Sequence, residues 1–377
     1  MLFKKYDLFK EYDPLKKKRL QILNEKGKLI KPELEPKISE KILLKIYKTM
    51  ILERVADIKA FQYQRQGRML TYVLNIGQEA CQVAAAATLE KQDWVSPYFR
   101  DIGFYLYKGV PLKNIYLYWY GNEKGSKMKP ETRILPVNII IGSGINIGAG
   151  LALASKIQKK DEVVVATIGD GGSSHEEFFA GLNYAATFKA PLVVLIQNNQ
   201  YAISTPRKIA SNAATLAQKC YAFGIPGIQI DGNDVLAVYT AVKEAVNKAR
   251  KGGGSSLIEF YTYRVGAHTT NDNTTLYRTK EEELLWSKKD PILRFEKYLL
   301  NKKILTQKDI EQIAIQTNNY VTKVHQEISI DGDKVKPIEV FENIYAEMTP
   351  QLKEQYEEYV SLLSNLSKSF LLKGDKK

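Results

Sequence analysis

The chain is poor in several features that would place it outside the cell or in a membrane. It has two cysteines in 377 residues, Cys81 and Cys220, far apart in separate regular segments. Two isolated cysteines build no disulfide framework and suit reduced thiols in a cytoplasmic setting. No apolar run reaches the roughly 18 residues that a membrane span needs. The first residues, MLFKKYDLFKEYDPLKKKRL, interleave charges with apolar residues and do not read as a secretory signal. Long blocks of one charge are also missing. The net charge is +13, yet the longest basic run is Lys16-Lys17-Lys18-Arg19. A nucleic-acid binder should show a basic stripe, a stacking platform or a known motif, and none is visible. A basic nucleic-acid-binding protein therefore stays only as a remote alternative. The charge reads as a Lys-rich solvated surface, suited to an acidic protein partner. No internal repeat or low-complexity tract stands out.

What is present is ordinary for a globular protein: 44% hydrophobic and 26% charged residues. The length allows one large α/β domain or two ordinary ones. Residues 1–37 read as a leading arm ending in KPELEPK. Residues 38–68 carry apolar positions such as Ile42, Leu43, Ile46 and Ile51 at helical spacing. Gly77 to Leu89 is an Ala-rich second helix, and Asp93 to Arg100 is extended. Four glycines at 142, 144, 148 and 150 sit among small apolar residues and allow a helix to approach a sheet or ligand closely. The centre then alternates. Val163–Ile168, Leu192–Ile196, Ile228–Ile230 and Leu257–Tyr263 read as buried strands. Glu176–Phe188 and Val235–Arg250 read as helices, the latter started by Asn233 or Asp234 and stopped by Gly252-Gly253-Gly254. The fold class is α/β, a doubly wound, mostly parallel sheet over residues 38–280. Residues 281–377 read as charged helices with an exposed tail.

In such a sheet, ligands bind beyond the carboxyl ends of the strands. The first central strand runs into Gly169-Asp170-Gly171-Gly172-Ser173-Ser174. The glycines permit a tight turn whose N–H groups face an anion. Ser174 with Glu177 forms the pattern of a capping box, which would start the next helix there and favour phosphate at its N-terminus. Asp170 would repel a phosphate unless a cation lies between them, which suggests Mg2+. The second strand ends in Gln197-Asn198-Asn199-Gln200-Tyr201 and should lie parallel and adjacent to the first. An Asn carboxamide there offers a neutral oxygen to the same ion, and a backbone carbonyl two residues on offers another. Gly-Asp-Gly or Asn-Asn alone is an ordinary turn. The joint pattern, with 26 residues between Gly171 and Asn198, is far more specific.

That pattern resembles the thiamine diphosphate motif. The wider run VVVATIGDGGSSHEEFFAGLNYAATFKAPLVVLIQNNQYAIST is similar to the alpha subunit of the decarboxylating component of 2-oxoacid dehydrogenase complexes. The likeness covers nearly the whole chain, through QGRM, GQEA, DWVSPYFRDIG, IPGIQIDGNDVLAVYTAV, YRVGAHTTND and YRTKEEELLWSKKDP. Among subfamilies it is nearest to bacterial pyruvate dehydrogenases. The resemblance implies an oxidoreductase that decarboxylates a 2-oxoacid on thiamine diphosphate with Mg2+ and reductively acylates a lipoyl group. Pyruvate is the first expectation, with branched-chain 2-oxoacids or acetoin as alternatives. Asp170 and Asn199 match side-chain Mg2+ ligands, and Tyr201 matches the backbone-carbonyl ligand. Gly171 and Gly172 match donors to the diphosphate, while Arg100 and Arg264 match phosphate contacts. Ile139 and Ile141 match positions whose backbone meets the aminopyrimidine.

Of three histidines, His325 lies in a charged helical stretch and is expected at the surface. His175 lies close to the metal site, with a functional role left open. His268 lies beyond a strand's carboxyl end in the loop Gly266–Asp272, well placed for proton transfer. By resemblance it is the active-site histidine that contacts the phosphates and assists transfer to lipoate. There are departures from the family pattern. Phe99 stands where a Tyr is usual, so a hydroxyl contact to the cofactor is lost. His175 replaces a Gln or Glu, Glu176 replaces a Gly, and Thr269 stands where some relatives carry a regulatory Ser. Thiamine diphosphate needs a second region to hold its aminopyrimidine, with a carboxylate on the ring. No second α/β unit follows residue 280, and Glu79 reads as structural. The other half is expected on a beta subunit, in an α2β2 heterotetramer that also serves a lipoyl-bearing dihydrolipoyl acetyltransferase core. A non-catalytic scaffold subunit is a third reading, opposed by the intact Asp170, Asn199 and His268.

Overall fold

The computed structural model describes residues 7–331, 337–342 and 344–374. The first six residues of the leading arm, and 332–336, 343 and 375–377 of the helical region, lie outside the described residues. Three helices, α1 (Leu8–Glu11), α2 (Glu40–Arg65) and α3 (Glu79–Ala86), precede strand β1 (Trp94–Ser96). Helices α4 (Ile102–Tyr107), α5 (Leu112–Trp119) and α6 (Ser143–Ile157) lead to β2 (Val164–Gly169). Helix α7 (Glu176–Thr187) carries the chain to β3 (Leu192–Asn198). A small hairpin, β4 (Tyr201–Ala202) and β5 (Thr205–Pro206), and α8 (Arg207–Ala210) follow. Then come β6 (Gly227–Asp231), α9 (Val235–Arg250) and β7 (Ser256–Tyr261). Helices α10 (Lys280–Ser287), α11 (Pro291–Asn301), α12 (Gln307–Asp331) and α13 (Pro350–Gly374) complete the order.

The five long strands form one sheet in the order β1-β2-β3-β7-β6, every pair parallel. Alternate residues of each strand face opposite layers, as the pleat requires. Val164, Ala166 and Ile168 pack with residues of α6 and α7. Val165, Val193 and Ile258 pack with residues of α2, α3 and α9. Both faces are covered, which is why the strand sequences are continuously apolar. Gly148 makes the closeness of α6 possible: a Cβ there would fall 2.9 Å from the Ala166 Cβ.

Buried charge ties the arm to this sheet. One oxygen of Asp234 caps α9 by accepting from Leu236 and Ala237 N–H at 3.0 and 3.2 Å. Its other oxygen accepts from Ile22 and Leu23 N–H at 2.6 and 2.7 Å. Leu20 pairs beside Ile230 at the sheet edge, and Leu8, Leu20, Ile22 and Leu23 are fully buried. Arg294 of α11 closes the same corner with Asp231 at 3.0 Å.

Three expectations need correction. The Ala-rich helix is shorter than the pattern suggests, because Gly77 adopts φ +98 against the Tyr263 carbonyl and α3 starts only at Glu79. The Ser174–Glu177 capping box does not form. A 3-10 turn over Gly172–Ser174 intervenes, α7 starts at Glu176, and the Glu177 carboxylate meets His175 Nδ1 instead. His325 is buried, not superficial. Its ring stacks on Tyr63 of α2 with centroids 3.4 Å apart, and Val321, Val324 and Ile328 lie buried around it. Burial, with Arg68 and Lys59 nearby, lowers its pKa to about 4.

Candidate functional site

Four adjacent strands each deliver a candidate site side chain just beyond their carboxyl ends. Arg100 follows β1, Asp170 follows β2, Asn199 and Tyr201 follow β3, and Arg264 and His268 follow β7. The register pairs Gly169 with Gln197 and Asn198 with Tyr261, so these loops leave the sheet side by side. They surround a cavity of about 500 Å³. Phe99, Arg100, Ile139, Ile141, Asp170, Gly171, Gly172, Asn199, Tyr201, Arg264 and His268 all line it. The structure therefore brings together every residue that sequence reasoning singled out for the site. Ile139, Ile140 and Ile141 form an exposed apolar rim before α6.

Asp170 is 4% exposed, and its Oδ2 meets no hydrogen-bond donor. Burial raises its pKa to about 6, against the opposing pull of backbone donors, Arg264 and Arg207. A buried carboxylate oxygen without a donor is a position that a cation can complete. Asn199 stands next in the sheet order, its Nδ2 donating to Gln78 Oε1 at 3.1 Å. The Tyr201 carbonyl accepts from Arg264 at 3.4 Å. These are hard oxygen donors of the kind Mg2+ takes.

The glycine turn works by packing, not by unusual dihedrals. Gly171 has φ −60 and ψ −43, open to any residue. A Cβ there would fall 2.4 Å from the Ala202 Cβ, and one at Gly172 would fall 2.7 Å from Ile168. Glycine lets the turn nest between β2 and the β4–β5 hairpin. Ser173 Oγ donates to the Asp170 carbonyl at 2.7 Å, and Lys219 Nζ holds Ser173 from behind, at 3.0 Å from its Oγ.

Arg100 and Arg264 are 1% and 0% exposed. Each points a guanidinium nitrogen at His268 Nδ1, at 3.2 and 3.1 Å. Arginine only donates, so Nδ1 must accept and the ring proton sits on Nε2. Burial first, then the two arginines, lower the His268 pKa to about 3, while Asp272 pulls the other way. The imidazole is neutral at pH 7. Arg264 is held by the Ile203 carbonyl at 2.7 Å and by Tyr277 at 2.9 Å. Asp272 accepts from the His268 N–H at 2.6 Å and fixes the loop. Phe99 lies edge-on to His268, with centroids 6.0 Å apart, and brings no hydroxyl. His175 is exposed and paired with Glu177. Glu79 is buried against Arg54 and accepts from the Gly77 N–H at 3.0 Å, a structural role.

Sequence reasoning missed Thr71 and Val73, in the segment between α2 and α3, and Trp119 of α5, which line the cavity, and the brace formed by the Tyr277 hydroxyl donating to Asp272. The first three lie in ordinary helical and extended text. The brace was signalled only by its place in the same polar loop.

The comparisons with known proteins agree along the chain. The model of the dehydrogenase E1 component family matches residues 47–334. The chain is 56% identical over 345 residues to the pyruvate dehydrogenase E1 component subunit alpha of Acholeplasma laidlawii, covering 91% of this chain and 100% of that relative. It is 41% identical to the subunit of the same name from Staphylococcus aureus, over 90% of this chain and 92% of the relative. The Mycoplasma genitalium subunit of that name is 40% identical, over 89% and 93%. With most of its length matched in this way, the chain belongs to the dehydrogenase E1 component family.

Proposed function

We propose that this chain is the alpha subunit of a pyruvate dehydrogenase, acting with a beta subunit and a lipoyl-bearing acetyltransferase core in the cytoplasm. Residues 38–280 form the cofactor-binding domain, with 1–37 as an arm and 281–377 as a helical region. One observation carries the reading. A buried carboxylate lacking a donor and two buried guanidiniums converge on one cavity. The carboxylate calls for a cation and the guanidiniums for an anion, and a metal diphosphate is both. The names of the relatives direct the choice to pyruvate rather than branched-chain 2-oxoacids.

Asp170, the Asn199 side chain and the Tyr201 carbonyl would hold Mg2+. Arg100, Arg264 and the Gly171–Gly172 turn would hold the diphosphate, and Ile139 and Ile141 would border the aminopyrimidine. Bound thiamine diphosphate supplies the carbon nucleophile and the electron sink for decarboxylation. His268 supplies a neutral ring whose Nε2–H is free to donate, since Nδ1 is engaged by both arginines. A bound anion would offset the arginines' part of the shift, with the larger part, set by burial, remaining. The Nε2–H would be the group placed to give a proton to the sulfur released when the lipoyl disulfide opens. The remaining wall of the site is assigned to the beta subunit in an α2β2 assembly, as the E1 alpha-subunit names of the relatives suggest.

Co-expression with a candidate beta subunit tests this. The expected result is pyruvate decarboxylation that requires thiamine diphosphate and Mg2+ and exceeds turnover of 2-oxoisovalerate. A heteromer indifferent to thiamine diphosphate would overturn the proposal. RNA binding with a steep salt slope would favour the remote alternative.

A further inference from the structure

We propose that Gln78 is a positioning residue that turns the side-chain oxygen of Asn199, rather than its amide nitrogen, toward the cation. The inference rests on reading Asp170, Asn199 and Tyr201 as the cation's ligands. An asparagine carboxamide has an oxygen end and a nitrogen end, exchanged by a half-turn. Only the oxygen end ligates Mg2+. Something must therefore select the orientation. Gln78 is fully buried immediately before α3, and its Oε1 accepts from Asn199 Nδ2 at 3.1 Å. An acceptor placed behind the nitrogen end leaves the oxygen end for the cavity. The other side-chain hydrogen bond of Asn199, from Tyr201 N–H at 3.4 Å, is too long to make that selection alone.

Gln78 also has two ends. Its Nε2 is buried without a partner. Turned over, it would donate to Asn199, which would turn with it and present its NH2 to the cavity. The pair thus has two ways to bond, but in the flipped one Asn199 Nδ2 faces the Tyr201 N–H, donor against donor, so only the arrangement seen satisfies both contacts, and it is the one that provides the ligand. The backbone holds Gln78 at this range. Gly77 sits at φ +98 where a Cβ would fall 2.5 Å from the Tyr263 carbonyl. Thr262 Oγ1 donates to the Gly77 carbonyl at 3.1 Å, and Gln78 N–H donates to the Asn75 carbonyl at 3.0 Å. Gln78 itself does not line the cavity, so it acts through Asn199.

The test is Mg2+ titration of the assembled heteromer with thiamine diphosphate, read by calorimetry and not by turnover. Gln78→Met keeps the shape and removes the acceptor, and should weaken Mg2+ binding about tenfold. Gln78→Glu offers an oxygen at both ends and should bind Mg2+ at least as tightly as the parent. In an Asn199→Asp background either end of the ligand is oxygen, so Gln78→Met should add no further loss. A plain packing role would persist in that background. Parent-like Mg2+ affinity in Gln78→Met overturns the inference, as does a loss that survives in Asn199→Asp. If Gln78→Met fails to assemble, Gln78→Glu decides, and weaker binding there overturns it. Asp170→Ala is measured in parallel. Unchanged affinity in Asp170→Ala removes the site reading itself, whereas loss there with none in Gln78→Met removes only the role of Gln78.

Discussion

Burial acts on Asp170 and His268 through the same physics with opposite signs. It disfavours the charged form of each, so the acid is pushed up to about 6 and the base down to about 3. At pH 7 the acid is still ionised with one oxygen unpartnered, while the base is neutral and keeps its lone pair for two arginines. Asp170→Ala should therefore cut Mg2+-dependent thiamine diphosphate affinity of the heteromer at least about a hundredfold, the scale of removing one partner of a buried charge pair. Calorimetric titration measures it, and parent-like affinity would discard the assignment. His268→Ala should leave cofactor affinity nearly intact, because Arg100 and Arg264 remain. It should slow lipoyl acetylation about a hundredfold or more, the usual weight of a proton-transfer group. Full overall activity in that variant would take His268 out of the mechanism.

The packing of elements sets a second pH response, at α2 against α12. His325 titrates near 4 in the folded chain and near its ordinary value when unfolded. Between those values the unfolded chain binds more protons, so stability falls as pH drops below about 6.5. His325→Phe keeps a ring on Tyr63 and removes the titration. Its melting temperature relative to the parent should rise by on the order of 2 °C between pH 7 and pH 5. A constant difference across that range would show that His325 protonates freely in the native state. This helix also shows how far elements are legible in sequence. Val321, His325 and Ile328 recur at helical spacing, so the buried face was readable, though flanking charges suggested the surface. The buried strands and the Asp234 cap were readable for similar local reasons. The start of α7 was not. Ser174 and Glu177 have the spacing of a capping box, but Ser173 bonds back to Asp170 and is gripped by Lys219, 46 residues away in sequence. A contact at that separation leaves no local trace and overrides the local motif.

At the scale of the whole molecule, the site is bordered by exposed apolar residues. Ile139, Ile140 and Ile141 border the cavity, and Ile140 is 73% exposed. Ile147 and Ile157 of α6 and Phe179 and Phe188 in and beside α7 are exposed as well. These two helices pack on each other and on the sheet through their other faces. Three large exposed apolar residues in a row at the mouth of a cavity, Ile139, Ile140 and Ile141, mark an interaction surface. The sequence could suggest a partner for the site, because residues 281–377 read as charged helices rather than as a further α/β unit. It could not indicate the side on which the partner sits, because a helix that is apolar all round reads the same whether the sheet or another subunit covers each face. Ile140 distinguishes these roles, since it touches the rim and contributes little to the core. Ile140→Asp should leave the melting temperature of the isolated chain unchanged within error. It should weaken association with the beta subunit about tenfold, the loss expected for a central apolar contact. Cofactor affinity measured at subunit concentrations below that association constant should fall in parallel and recover when the beta subunit is in excess. Unaltered assembly with Ile140→Asp would move the interface away from this rim, and the open side of the cavity would then face solvent or the lipoyl domain.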